Sequence, residues 1–242
     1  PYPPSPKVQE ALHRFNYEDL KKYPLIDAGV LREAIADYYG LKRENVFTGN
    51  GSDDVLATAF RAFFNSDLPI VYPDITYSFY PVWCELLKIP SKTFPVDENF
   101  RINVEDYYAP NGGVVIPNPN APTSVGELKD FIVDLLEHNR DCIVIIDEAY
   151  VDFGGYSAVE LVKEYDNLVV TQTFSKSRSM AGARLGFAIG NEEIIGDLHK
   201  LRYSTNPYNI NRLTLAAGAA TIDSQEYYDS NCKKIIGTRS FV

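Results

Sequence analysis

Cys142-Ile143-Val144-Ile145-Ile146-Asp147-Glu148-Ala149-Tyr150 is the stretch on which the fold turns. An unbroken apolar run ends on an acid. Because it does not alternate, it reads as a strand covered on both faces, not one with a wet side. Leu168–Thr173 and Leu185–Ile189 repeat the pattern. Leu68–Tyr72 and Gly113–Ile116 are shorter versions, ended by Pro73-Asp74 and by the proline-rich turn Pro117–Pro122. Between these runs lie segments with apolar residues at helical spacing. Gly29–Tyr39 places Val30, Leu31, Ala34, Ile35 and Tyr38 on one face, with Gly40 as a stop. Ser52 caps a helix reaching Phe64, with Val55, Leu56, Ala59, Phe60 and Phe63 as its stripe. Gly126–His138 buries Leu128, Phe131, Ile132, Leu135 and Leu136. Glu193–Arg202 and Asn211–Ile222 also read as helices. The expectation is an α/β fold, a mainly parallel sheet flanked by helices on both faces.

The 242 residues carry 23 Lys and Arg against 33 Asp and Glu, a net charge of −10. That balance argues against a general nucleic-acid or anionic-membrane binder, both of which need a basic face. The longest apolar run stops at Asp147, far short of a membrane span. Cys84, Cys142 and Cys232 are too few and too scattered for a disulfide framework or a zinc site, and Cys142 is expected as a small buried thiol. A cytoplasmic location and no metal are expected. The first residue is Pro1, and nothing after Gly237–Val242 stops a helical pattern, so the expectation is a part of a longer protein.

Ligands of such sheets gather at the carboxyl ends of strands. The residues there are Asn118–Thr123, Asp147, Glu148 and Tyr150, and Ser175 and Lys176. No acid lies between Asp166 and Glu192, whereas Lys176, Arg178 and Arg184 do, so an anion-binding pocket is expected in an otherwise acidic chain. Gly49-Asn50-Gly51-Ser52 is on its own a tight turn; at a helix start its backbone N–H groups also form a phosphate cradle. No Gly-Lys-Ser/Thr run follows, which excludes a Walker-type loop.

Together these motifs resemble the class I/II aminotransferases, pyridoxal-phosphate enzymes of fold type I. Asp147-Glu148-Ala149-Tyr150, Ser175-Lys176 and Ala181-Gly182-Ala183-Arg184-Leu185-Gly186 carry the likeness, with Lys176 29 positions after Asp147 and 8 before Arg184. Within the family, Tyr23-Pro24, Leu31–Ala36, Gly49–Asp53, Asn118–Thr123 and Tyr208–Arg212 are most similar to the histidinol-phosphate aminotransferases.

The resemblance implies pyridoxal 5'-phosphate as cofactor and assigns roles. Lys176 forms the Schiff base and moves the proton, Asp147 pairs with the pyridine nitrogen, and Tyr150 donates to the ring hydroxyl. Tyr77 stacks on the ring. The Gly51 and Ser52 N–H groups, Ser175 and Arg184 sit at the phosphate, and Asp53 belongs to the cofactor site. Tyr23 reaches the neighbouring subunit's cofactor, which implies a homodimer with shared active sites, and Tyr2 lies near the substrate. Relatives with Asn-Asn-Pro-Thr-Gly place their second Asn at the ring hydroxyl; here Ala121 stands there, and Asn120 is the nominee instead. The implied reaction moves an amino group between L-histidinol phosphate and 2-oxoglutarate or glutamate. An aromatic-amino-acid aminotransferase, an amino-acid-phosphate decarboxylase and a non-catalytic cofactor-binding sensor remain alternatives. The implied domains are an arm over 1–28, a cofactor-binding domain over 29–222, and the start of a small carboxyl-terminal domain over 223–242. The rest of that domain, with its carboxylate-gripping arginine, is missing from the sequence.

Overall fold

The computed structural model describes residues 2–241; Pro1 and Val242, the ends of the expected arm and of the expected terminal segment, lie outside them. Seven strands form one sheet: β1 Val46–Gly49, β2 Ile70–Pro73, β3 Ser91–Phe94, β4 Gly113–Pro117, β5 Val144–Asp147, β6 Leu168–Thr173 and β7 Gly186–Gly190, in the order β1-β7-β6-β5-β4-β2-β3. Only β7 runs against its neighbours, pairing antiparallel with both β1 and β6. The helices are α1 Pro6–His13, α2 Gly29–Tyr39, α3 Ser52–Phe63, α4 Phe79–Leu87, α5 Lys129–His138, α6 Glu192–Thr205, α7 Arg212–Ile222 and α8 Gln225–Phe241. The mainly parallel sheet expected from the apolar runs is what forms.

Alternate residues of each strand supply alternate faces. Phe47, Ile70, Tyr72, Val115, Ile145, Val169 and Ala188 pack against α3, α4 and α6. Val46, Val71, Val114, Val144, Ile146, Val170 and Phe187 pack on the other side against α2, α5 and α7. Each fully buried Leu, Ile or Phe side chain contributes about 1.5–3 kcal/mol, which is why the runs show no polar interruption.

The sequence reading needs several corrections. Ser52 is the first residue of α3, not its cap; Gly51 holds the cap position with no side-chain bond. α5 starts at Lys129, and Leu128 is 73% exposed instead of buried. The Asn118 side chain explains this, since its Oδ1 accepts the Glu127 N–H at 2.7 Å and its amide donates to the Glu127 carbonyl at 3.1 Å. That pairing keeps the backbone before Leu128 out of a helix. In α2, Val30 and Tyr38 face outward while Arg32 turns inward with Leu31, Ile35 and Ala36. Arg32 is tolerated there because the Val46 and Arg43 carbonyls each accept from it at 2.8 Å. Cys142 precedes β5 and is half-buried in a turn, where burial pushes its thiol up to about 11.

Candidate active site

The carboxyl edges of β4, β5 and β6 open onto one cavity of about 630 Å³, counting its mouth. Pro117, Pro119 and Ala121 line it from β4 and the following turn, Asp147, Ala149 and Tyr150 from β5, and Thr173, Ser175 and Lys176 from β6. Ser52 and Asp53 enter from α3, Tyr77 from before α4 and Arg184 from before β7. Lys176 and Asp147 therefore share one cavity, as the sequence reading requires.

Asp147 is buried at the floor. The Tyr80 hydroxyl donates to its Oδ2 at 2.8 Å and the Thr171 hydroxyl to its Oδ1 at 3.1 Å. Burial pushes the carboxyl above its ordinary value, and these donors, with the Ala149 N–H, pull it back. Glu148, one residue on, turns to the opposite side of the sheet, where Ser157, Ala158 and Gln172 donate to it. Sequence reasoning missed Tyr80 and Thr171. Their signals were a tyrosine one helical turn after Tyr77 and a hydroxyl inside an apolar strand.

Lys176 stands in the turn after β6, its ammonium 5.0 Å from the centre of the Tyr150 ring. The turn is closed by the Met180 N–H donating to the Phe174 carbonyl at 2.9 Å. Arg178 was expected in the positive pocket. It is instead 1% exposed beneath the turn, flanked by Phe174 and Phe187 and 3.5 Å from Asp152. Asp152 also accepts from the Ser177 hydroxyl. The Tyr150 turn and the Lys176 turn are thereby tied together from below.

From another side, α3 points its amino terminus into the cavity. Gly51 has φ +91, and a β-carbon there would lie 2.7 Å from an Arg184 guanidinium nitrogen. Its own N–H is taken by the Gly49 carbonyl at 2.9 Å. Among the described residues, the Ser52 and Asp53 N–H groups have no protein acceptor, so they, not Gly51, are the free donors. The Asp53 carboxylate meets Arg184 at 3.3 Å and accepts from the Tyr77 hydroxyl at 2.8 Å. A helix terminus, Ser175 and Arg184 form a donor set for a dianionic phosphate, while Tyr77, Tyr150 and Asp147 suit a flat protonated heterocycle. Pyridoxal phosphate combines both, and these residues fit it. Among the described residues, no His, Cys, Asp and Glu cluster has the arrangement of a metal site.

Three nominated residues lie elsewhere. Asn120 is buried, its amide donating to the Ile75 carbonyl at 2.8 Å. Tyr23 is 75% exposed and stacks on Tyr208, with ring centres 4.6 Å apart. Tyr2 sits beside α8, 5.5 Å from the Lys234 ammonium.

The family model for aminotransferase class I and II matches residues 1–242. A histidinol-phosphate aminotransferase of Acinetobacter baumannii (strain SDF) is 51% identical over 242 residues, covering 99% of this chain and 67% of that protein. One from Lactococcus lactis subsp. cremoris is 48% identical over 239 residues, with 99% and 67% covered. Among solved structures, the Sinorhizobium meliloti histidinol-phosphate aminotransferase in complex with pyridoxal-5'-phosphate matches with a TM-score of 0.86 at 22% identity, over 98% of this chain and 66% of that one. With that match along its whole length, the chain belongs to the class I and II aminotransferases.

Proposed function

We propose that this chain is a pyridoxal-phosphate-dependent aminotransferase exchanging an amino group between L-histidinol phosphate and 2-oxoglutarate or glutamate. The observation that carries the reading is a single cavity holding Lys176, Asp147, Tyr150, Tyr77 and Arg184, in a chain about half identical to histidinol-phosphate aminotransferases. When bound, pyridoxal phosphate supplies an aldehyde that takes up the amino group and a ring that draws electrons from the bond being deprotonated.

The chain's own residues supply the rest. The Lys176 amine anchors the cofactor and, once released, takes the proton from the substrate carbon and returns it to the adjacent position. Tyr150, beside that amine, donates to the ring hydroxyl. That role falls to Tyr150 alone, because Asn120 does not line the cavity and its amide is turned to the Ile75 carbonyl. Asp147 keeps a proton on the ring nitrogen. Tyr77 covers one ring face. The Ser52 and Asp53 N–H groups, Ser175 and Arg184 hold the phosphate, with Arg184 as a fork of donors.

The exposed Tyr23 belongs, in this reading, to the site of a second copy in a homodimer. The apolar groove formed by Phe15, Leu25, Val30 and Leu215 beside it suits such a partner. No helix among the described residues is long and apolar enough to cross a membrane. Three free thiols suit a reducing cytoplasm. Residues 1–28 are then an arm, 29–222 the cofactor-binding domain and 223–242 the beginning of a smaller one.

The deciding assay compares amino donors with 2-oxoglutarate as acceptor. Histidinol phosphate is expected to exceed phenylalanine and tyrosine in kcat/KM by at least about tenfold. Preference for an aromatic donor, release of carbon dioxide from an amino-acid phosphate, or a coloured protein that transaminates nothing would each overturn the assignment.

A further inference from the structure

Tyr80 is absent from every role assigned so far, yet it touches two of the groups that face the cofactor ring. It is fully buried, and Phe60, Tyr72 and Trp83 surround its ring with centres 6.1, 5.9 and 6.2 Å away. Packed on all these sides, the ring has one orientation. In it the hydroxyl reaches Asp147 Oδ2 at 2.8 Å and the ring backs Tyr77 edge-on, 5.6 Å between centres at 80°.

We propose that Tyr80 is the positioning residue of this site, its hydroxyl fixing the Asp147 carboxylate and its ring setting Tyr77. The proposal rests on the reading of the cavity as a pyridoxal-phosphate site. Thr171 completes the hold on Asp147 from β6, taking the opposite oxygen. A carboxylate gripped at both oxygens cannot swing without breaking two bonds. Its lone pairs are also partly occupied, which makes it a weaker base. A proton shared with the ring nitrogen then stays on the nitrogen, where the chemistry needs it. The other charged groups lining the cavity with Asp147 are Asp53 from α3, which raises its proton affinity, Lys176 and Arg184. Tyr80 itself remains protonated, since burial and the Asp147 charge both push its phenol far up.

The test uses the protein reconstituted with cofactor 15N-labelled at the ring nitrogen. Tyr80→Phe keeps the ring and deletes the hydroxyl; Tyr80→Leu removes both contacts. Tyr80→Phe is expected to weaken cofactor binding about 10- to 100-fold and to move the 15N resonance toward the unprotonated position. Tyr80→Leu should weaken it further. Replacing Tyr80 by 3-fluorotyrosine, a stronger donor of the same shape, should leave the nitrogen protonated and keep the proposal testable if Tyr80→Phe folds poorly. A purely structural role lowers the melting temperature and leaves the resonance where it was. Wild-type affinity and resonance in a folded Tyr80→Phe protein, or a fluorotyrosine protein with an unprotonated nitrogen, overturn the proposal. A wild-type protein that binds no cofactor removes the underlying reading and the proposal together.

Discussion

Gly186 passes so close to Ser52 that a β-carbon on it would lie 2.4 Å from the Ser52 backbone nitrogen. The first residue of β7 is thus the floor on which the cavity-facing end of α3 rests. Gly186→Ala must push that turn away, at a cost of about 1–3 kcal/mol, and cofactor affinity should fall with it. Gly182→Ala is the control, because nothing lies within 4 Å of a β-carbon there. Urea unfolding and cofactor titration of the two variants check the contrast; equal losses would contradict it.

Arg184 and Asp53 are about half exposed, so their ion pair contributes little to stability. Arg184→Ala is therefore expected to leave the melting temperature of the cofactor-free protein nearly unchanged. Cofactor affinity should drop by about 1.5–3 kcal/mol, the worth of charge-assisted bonds to phosphate. Calorimetric titration with pyridoxal phosphate against pyridoxal separates the cases, since the loss should appear only for the phosphorylated form.

The Arg178 guanidinium is buried and balanced by Asp152. Removing Asp152 leaves a buried charge without its partner, a loss of about 3–5 kcal/mol. Asp152→Ala should accordingly unfold at much lower urea than Ser177→Ala, which deletes only a hydroxyl. Adding Arg178→Met to Asp152→Ala should restore part of the loss. A double variant no more stable than Asp152→Ala would show that the pair is not what ties the two turns.

His199 is buried between Arg32 and Arg202, and burial with those two cations pushes its pKa down to about 3. Arg202 donates to Nδ1 at 3.1 Å, so the ring proton sits on Nε2, facing the Val46 carbonyl at 3.4 Å. In the unfolded chain the ring takes a proton near 6.5. The folded state binds fewer protons between those values, so stability is full above 6.5 and is lost as pH falls toward 3. Thermal unfolding should show a loss approaching about 1.4 kcal/mol per pH unit in that window. His199→Gln should flatten this dependence; an unchanged slope would assign it to other groups.

The parts of the fold that were legible in sequence are those where one segment decides its own fate. The run ending at Asp147 is apolar throughout, and nothing but a covered strand satisfies it. β3 was invisible because Ser91–Phe94 is an edge strand left largely exposed, formed only because β2 lies beside it. β1 offers only Val46 and Phe47 before Thr48 and Gly49, too few apolar residues to stand out, and its place beside β7 is set by a partner far along the chain. The site divides the same way. Asp147 and Lys176 stand just after apolar strands and Arg184 in an acid-free stretch, which marked their positions, whereas their roles came from the family resemblance. Tyr80 and Thr171 act through a carboxylate brought to them by folding, and Arg178 was misplaced because a partly exposed Asp152 beneath the turn outweighs the pull of the cavity.

The central claim is that the Lys176 amine captures the cofactor aldehyde in the cavity floored by Asp147. Its most direct measurement is borohydride reduction of the protein loaded with pyridoxal phosphate, followed by peptide mass spectrometry. The account predicts one reduced pyridoxyl group per chain, on Lys176, and none in a folded Lys176→Ala variant. A label on another lysine, or an equal label in that variant, would contradict it.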